Sequence, residues 1–501
     1  MLIRSRDMVQ ALQQVWPASV LPDVLSGLPD EVRLVTDSRL VRPGDVFVAV
    51  PGSQMDGRDF IEMALESGAV LVLSHIRSGD VALEGAVLTL PHLSLRLGEL
   101  GRALFSVPDG LDVIAVTGTN GKSSVTHYIA DLSDALGTPA GVVGTLGVGR
   151  SGALTDSGLT TPGPLALQET LGALAGQGVK RIALEASSHA LDQNRLDAVD
   201  VKAGVFTNLS RDHLDYHGSM AAYAAAKAKL FRRAELELVV VNGDDPLARL
   251  MLSGCRSEAR VLATGQDDAV TFKVLEWHPH AEGQQAIIAT PDAEKVLDLQ
   301  LMGRFNLDNL LLAMATLYGL GEPIDALVEA AKLIKPVPGR MELYRGSGTP
   351  GVVVDYAHTP DALHKALEAL RAHLGAQAKL WCVFGCGGER DAGKREEMAK
   401  VAEAYADVAV VTDDNPRHEP ADEVRQAILA GFSAAAMQEN RVMEIAERRK
   451  AIAYAVAHAG PDDVVLVAGK GHEAYQEIKG VRHPYLDSDE VLHALAQRES
   501  T

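Results

Sequence analysis

Cysteine is nearly absent from this chain: three in 501 residues, at Cys255, Cys382 and Cys386. Three thiols cannot build a disulfide framework. Cys382 and Cys386, in "WCVFGCGG", are separated by three residues, so they do not form a C-x-x-C pair, and no second Cys/His pair accompanies them. They are expected to be thiols without a chemical role, in a protein of the reducing cytoplasm. Positive charge is also short, with 47 Lys and Arg against 67 Asp and Glu and a net charge of −20. That balance argues against a general nucleic-acid or membrane-surface binder, whose affinity rests on basic patches. An anionic substrate would instead be held by local positive groups: helix N-termini, a metal, or a few placed Arg and Lys. Long apolar runs are missing too. The opening "MLIRSRDMVQALQQVW" has no stretch of signal-peptide length, and no segment approaches the roughly 20 apolar residues of a membrane helix. No membrane association is expected, and no short repeat or low-complexity tract appears.

What is present is a soluble globular composition, 47% hydrophobic and 23% charged. The length exceeds one ordinary core and implies two to four domains. Residues 1–92 read as a unit of short strands and helices carrying "TDSRLVRPGDVFVAVPG" and "DGRDF". From 93 to 337 the pattern becomes strand–helix alternation. Strands are predicted at 112–117, 180–185, 203–208 and 237–242, with helices at 121–136, 165–177 and 219–232. A β-rich insertion spans 258–302, and a helix follows at 306–319. After the Pro/Gly joint "KPVPGRME" the alternation restarts, and 338–501 reads as a third domain. Its strands are predicted at 351–355, 379–384, 408–412 and 463–468, with helices at 360–373, 393–406, 421–432 and 446–458. Near-continuous apolar strands alternating with amphipathic helices predict an α/β protein built on parallel sheets.

The chemistry concentrates at predicted strand ends. "VTGTNGKSS" lacks the first glycine of the strict phosphate-loop pattern, since position 116 is valine, but keeps Gly118, Gly121, Lys122 and Ser123. A strand-to-helix junction offers unpaired N–H groups and a helix dipole to phosphates, the lysine adds charge, and Ser123 could ligate Mg²⁺. A Gly-rich turn with no ligand is the plainer alternative. Glu185 and Ser187-Ser188-His189 follow one strand, and Thr207-Asn208 follow the next. In open parallel sheets ligands gather beyond such ends, which makes Glu185 a credible metal group. "SRDHLDYHGSMAAYAAAKAKLF" holds His213, Asp215, His217, Lys227 and Lys229; spacing alone leaves open a metal or proton-transfer cluster or a polar loop before an Ala-rich helix. In the third domain four strand ends carry charged or glycine-rich motifs: "DYAHTPD", "GCGGERDAGKR", "DDNPR" and "GKGHE". One such end would be a turn, whereas four make a site.

Taken with "LEASSHALDQNRLD", "NLSRDHLDYHG", "GRFNLDN" and "VPGRME", this ordered set resembles the Mur ligases, the ATP-dependent amino-acid ligases of peptidoglycan precursor synthesis. The resemblance extends over essentially the whole chain. It implies an N-terminal UDP-binding α/β domain, a central P-loop ATPase domain and a C-terminal Rossmann-like domain that brings the amino acid. It further implies addition of meso-diaminopimelate to the D-glutamate of a UDP-N-acetylmuramoyl dipeptide through an acyl phosphate, with ATP and Mg²⁺. On this resemblance Gly118, Thr119, Asn120, Gly121, Lys122, Ser123 and Ser124 would hold the phosphates, with Asn306, Arg340, Asp355 and His358 around the nucleotide. Ser123, Glu185, His213 and Lys227 would serve the metal, Lys227 as a carbamate. Lys122, Glu185, His213 and Lys227 are the expected catalytic set. Ser38, Ser53, Gln54, Met55, Thr160, Thr161, Ser187, Gln193 and Arg195 would meet the UDP-substrate. Two departures, Leu159 where many relatives have Asn and Ser53 where they have His, bear on individual contacts.

Arg390, Asp414, Asn415, Pro416, Arg417, Gly469 and Glu473 would hold the amino acid. Diaminopimelate differs from lysine by a distal carboxylate, which a guanidinium matches bidentately. Lysine would present only an ammonium there, so Arg417 favours diaminopimelate by repulsion as well as attraction. The partners expected are these small molecules alone, and the enzyme is expected to be a monomer. Two other readings are compatible with parts of the pattern. One is a folylpolyglutamate synthase-like ligase, which shares the ATPase core. The other is a non-catalytic nucleotide binder, in which the charged strand ends of the third domain would be idle.

Overall fold

Runs of Val, Ile, Leu and Ala four to six residues long form the strands, because β-branched and apolar side chains fill both faces of a covered sheet. The computed structural model describes residues 1–19, 21, 22, 25, 27–52, 55–389 and 391–499. Two compact units divide the chain: Met1–Thr119 with Gly137–Val239 and Arg249–Arg260, and Asn120–Leu136 with Val240–Ala248 and Val261–Thr501.

In the first unit an N-terminal sheet has the strand order Leu2–Arg4, Glu31–Val35, Val46–Ala49, Leu71–Ile76, Val87–Pro91, Ala82–Glu84, parallel except at its two edges. Helices Ser5–Val15 and Leu93–Leu104 cover it through Met8, Leu12, Leu93, Leu97 and Leu100. The second helix also packs on Pro164–Gly176, where Gly101 faces Gln168 so closely that an added Cβ would lie 2.9 Å from its side chain. The same unit carries strands in the order Ala153–Thr155, Gly147–Arg150, Ala140–Gly144, Arg181–Glu185, Asp112–Thr117, Val201–Phe206; the last four are mutually parallel.

The strand predicted at 203–208 runs from Val201 to Phe206. Its end is set by Thr207, whose N–H donates to the Thr117 carbonyl, and by Asn208, whose carbonyl accepts the Thr119 N–H. The helix predicted at 219–232 stops at Ala228 and tightens into a 3₁₀ turn, Leu230–Arg232.

In the second unit Arg260–Gly265 heads the β-rich insertion, which continues as the antiparallel meander Phe272–His280, Gly283–Ala289 and Glu294–Leu299. Helix Arg304–Gly319 follows. Its C-terminal sheet has the order Glu342–Tyr344, Gly351–Asp355, Val464–Ala468, Leu380–Phe384, Val408–Val411, Val442–Glu444, parallel after the first strand. Strand alternation splits the side chains between two cores. Val353, Cys382 and Leu466 meet helices Pro360–His373 and Gly393–Tyr405. Val354, Val383 and Val465 meet Arg448–His458 and Asp487–Glu499. Arg448 and Asp487, both fully buried, pair bidentately at 2.7 Å and tie those last two helices together. Among the described residues no helix is long and apolar enough to cross a membrane.

Candidate active site

The glycine-rich loop leaves the carboxyl end of strand Asp112–Thr117 and enters helix Lys122–Ala135, whose first turn carries the positive end of its dipole. Gly118 takes φ 154°, and a Cβ there would lie 1.9 Å from Thr207 Oγ1, so only glycine fits. Thr119 anchors the turn: its hydroxyl donates to the Ser210 carbonyl at 3.2 Å, accepts the Ser210 N–H at 3.0 Å and meets the Tyr223 hydroxyl at 3.2 Å. Asn120 is exposed, and Ser123 and Ser124 are buried in the first turn of the helix.

Lys227 is 1% exposed and donates to the Gly118 carbonyl at 2.7 Å. Its ammonium sits 4.6 Å from the centre of the Tyr223 ring, which His217 approaches at 5.2 Å and His213 at 6.2 Å. Tyr223 therefore brings Lys227 and His213 to one place, a role the sequence did not signal. His213 adopts φ 51° and stays half exposed. His189 packs against it at 5.0 Å, and burial lowers the pKa values of His189 and His217.

Glu185 is 1% exposed at the end of the adjacent strand. Its two oxygens accept the Thr145 N–H at 2.9 Å and the Thr145 hydroxyl at 3.1 Å. Thr145 in turn meets Thr160 at 3.0 Å, and the Thr161 hydroxyl donates to the Glu185 carbonyl at 2.6 Å and lies 3.2 Å from the Ser187 hydroxyl. Arg195 donates to the Thr161 carbonyl and clamps Gln193, whose amide donates to Tyr216. Five residues predicted to meet the UDP-substrate thus form one connected strip with Glu185. Thr145 and Tyr216 belong to it and were missed: Thr145 lies in no recognisable motif, and Tyr216, inside "NLSRDHLDYHG", carried no assigned role. Ser38 opens a short 3₁₀ turn capped by Asp37, beyond the end of Glu31–Val35. Met55 is 64% exposed after Val46–Ala49, and Leu159 is 52% exposed. Ser53, Gln54 and Arg390 lie outside the described residues.

In the second unit Asn306 is buried, accepts from the Tyr128 hydroxyl at 3.3 Å and donates to the Met302 carbonyl at 2.9 Å. The Arg340 guanidinium stacks on Tyr356 at 4.7 Å, with His358 at 4.6 Å and His472 at 5.2 Å from the same ring. Asp355 accepts the N–H groups of Met341 and Ala357, both at 2.8 Å. Desolvation pushes its carboxyl up, against the opposing pull of Arg340 and those two amides.

The third-domain loops interlock. Arg417 takes φ 54°; its N–H bonds the Glu477 carbonyl at 3.0 Å, and its guanidinium donates to the Gly388 carbonyl at 2.5 Å. Gly388 lies under Pro416, whose carbonyl leaves 2.0 Å for an added Cβ. Gly469, at φ 116°, is pressed on Asp414 with 2.7 Å for a Cβ. Asn415 donates to Glu473 Oε2 at 2.9 Å. Asp414, Asn415, Pro416, Arg417, Gly469 and Glu473 therefore share one site. Lys470, which stands in the "GKGHE" motif but carried no assigned role, also belongs to it, and the sequence did not signal the hairpin Tyr475–Ile478/Val481–Pro484 that holds them.

In the first unit Glu185 offers a hard carboxylate oxygen of the kind Mg²⁺ prefers. Among the described residues no three His, Cys, Asp or Glu side chains converge as a ligand cluster. A bound cation would therefore need oxygens from its substrates, and Lys227 could join only after losing its positive charge.

Comparisons with known proteins complete the picture. Three family models match in order: "Mur ligase family, catalytic domain" over residues 33–96, "Mur ligase middle domain" over 116–317, and "Mur ligase, glutamate ligase domain" over 339–471. A Pseudomonas aeruginosa protein named UDP-N-acetylmuramoyl-L-alanyl-D-glutamate–2,6-diaminopimelate ligase is 47% identical over 470 residues, 93% of this chain and 95% of its own. A solved structure of a ligase with that name is 35% identical and aligns over 100% of both chains with a TM-score of 0.72. Mycobacterium tuberculosis folylpolyglutamate synthase, at 20% identity and a TM-score of 0.60 over 75% of this chain and 92% of its own, shares the fold alone. With its domains matched in order and its relatives aligned nearly end to end, this three-domain α/β chain belongs to the Mur ligase family of ATP-dependent amide ligases.

Proposed function

We propose that this protein joins meso-diaminopimelate to the D-glutamate of UDP-N-acetylmuramoyl-L-alanyl-D-glutamate, in the cytoplasm and as a monomer, with domains at 1–92, 93–337 and 338–501. The observation that carries the reading is the loop Asp414–Arg417, which presents a guanidinium and, through Asn415, the carboxylate of Glu473 from one interlocked frame. The guanidinium so fixed matches the distal carboxylate of diaminopimelate, and the Glu473 carboxylate suits an ammonium at the amino acid's other end. L-Lysine would leave the guanidinium unmatched.

The reaction needs charge stabilisation rather than a covalent protein nucleophile. Attack of the substrate's D-glutamate γ-carboxylate on the γ-phosphate of ATP gives an acyl phosphate and ADP. The diaminopimelate amine then attacks the acyl carbon, and the tetrahedral intermediate collapses to amide and phosphate. Gly118 to Ser124 cradle the phosphates, with Lys122 opposing the charge that builds on the transferring group. Asn306, Arg340, Asp355 and His358 hold the nucleoside side. Thr160, Thr161, Ser187, Gln193 and Arg195 seat the muramoyl dipeptide, with Ser38, Ser53, Gln54 and Met55 toward uridine and diphosphate. Arg390 and Gly469 complete the amino-acid pocket. Ser123, Glu185, His213 and a carbamylated Lys227 would hold Mg²⁺, which when bound would neutralise phosphate charge as a Lewis acid. Carbamylation would also turn the Lys227 ammonium, now donating to Gly118, into a carboxylate-like group.

Phosphate release is the test. It is expected only when ATP, the UDP-muramoyl dipeptide and diaminopimelate are all present. Release from ATP alone, or with the dipeptide replaced by a folate, would contradict the assignment.

A further inference from the structure

Lys470 is 0% exposed, yet it lies among the loops of the amino-acid site. A buried ammonium persists only where anions and acceptors replace its water. Here Nζ donates to Asn415 Oδ1 at 3.0 Å and to Glu473 Oε2 at 3.2 Å, and stands 3.7 Å from Asp414 Oδ1. The Tyr475 ring lies 5.6 Å from it.

These contacts decide the orientation of two pocket groups. Asn415 Oδ1 accepts from Lys470 and from the Glu477 N–H at 2.9 Å, so its Nδ2 must point the other way, to Glu473 Oε2 at 2.9 Å. Glu473 Oε2 then takes two donors, which aims the carboxylate by fixing one oxygen. Gln476 adds a bond to the Asp414 carbonyl at 2.7 Å. Arg417, two residues after Asn415, inherits the loop path through its N–H bond to Glu477.

We propose that Lys470 is the positioning residue of the amino-acid pocket. Its buried ammonium locks Asn415 and Glu473 in the arrangement that recognises the carboxylate and ammonium groups of the amino acid. This rests on the ligase reading above. Without that charge, Asp414 and Glu473 face each other's field uncompensated, Asn415 loses its reason to present Nδ2, and the grip on diaminopimelate loosens while the nucleotide side is untouched.

The experiment compares wild type with Lys470→Met and Lys470→Arg, each checked by circular dichroism. For Lys470→Met the KM for diaminopimelate is expected to rise about tenfold or more and preference over L-lysine to fall, with the KM for ATP within about twofold of wild type. Lys470→Arg, which keeps the charge, is expected to recover most of that loss. A folded Lys470→Met with an unchanged KM for diaminopimelate, or with ATP and diaminopimelate affected equally, would overturn the proposal. Loss of folding in both variants would overturn it too, by assigning Lys470 to the fold alone. Wild type that releases no diaminopimelate-dependent phosphate would instead refute the ligase reading, a separate outcome.

Discussion

At the scale of single residues, two side chains bear most of the proposed chemistry. Lys122 opens the helix after the phosphate loop, where nothing else in the first turn is cationic. Lys122→Ala is expected to lower turnover by about 10³-fold or more, read as product per hour at saturating substrates. Arg417→Ala is expected to raise the KM for diaminopimelate by roughly 10- to 100-fold and that for ATP by less than about twofold; equal rises would refute its role. These residues were legible because each stands in a short motif with an explicit chemical reason. Thr145 and Tyr223 were not, and Lys470 was legible as part of "GKGHE" but not in its role. Thr145 reaches Glu185 from 40 positions away and Lys470 reaches Asn415 from 55, so only the fold reveals those contacts.

At the scale of elements, the helix Lys122–Ala135 carries a buried titratable group that no motif announced. His127 is 5% exposed, and burial, helped by the charge of Arg340, holds its pKa at about 4. In the unfolded chain the imidazole titrates near 6.5, so between these values the unfolded state binds more protons and stability rises with pH. The contribution is whole above about pH 6.5, is lost as pH falls toward 4, and amounts to about 3 kcal/mol. His127→Gln is therefore expected to flatten the fall of the thermal midpoint between pH 7 and 4.5; parallel curves for the two proteins would contradict this.

The four strands and four helices predicted in the third domain lie within a few residues of those found, since apolar runs and amphipathic periods agree there. Helix Asp487–Glu499 and edge strands Glu342–Tyr344 and Val442–Glu444 were not predicted. Strands Ala140–Gly144 and Gly147–Arg150 escaped notice because Gly141, Gly144, Gly147 and Gly149 depress strand propensity. The Gly144 site still requires glycine: an added Cβ would lie 2.3 Å from Glu185 Oε1. The hairpin at 475–484 was hidden for a different reason. Its outer strand, Val481–Pro484, is exposed throughout, and the function of the pair is to hold Asn415 and Arg417 rather than to bury a core.

For the whole molecule, the acidic balance of −20 argues against general nucleic-acid or membrane-surface binding and points to local positive groups for anionic substrates. The candidates for those groups are the loop before Lys122, the stacked Arg340, and Arg417 with Lys470. The three matched family models account for most of the length, and the alternation of sheet and helix made that architecture legible before any coordinates. On the proposed reading the division of labour is chemical: one set of strand ends would activate a carboxylate, and another would choose the amine. The choice of amine is the most exposed claim. It is tested by offering the enzyme equimolar meso-diaminopimelate and L-lysine with ATP and the UDP-muramoyl dipeptide, then weighing the products by mass spectrometry. The diaminopimelate adduct should predominate by about 100-fold or more, with ADP formed in equal amount. A predominant lysine adduct, or ADP formed without either adduct, would contradict it.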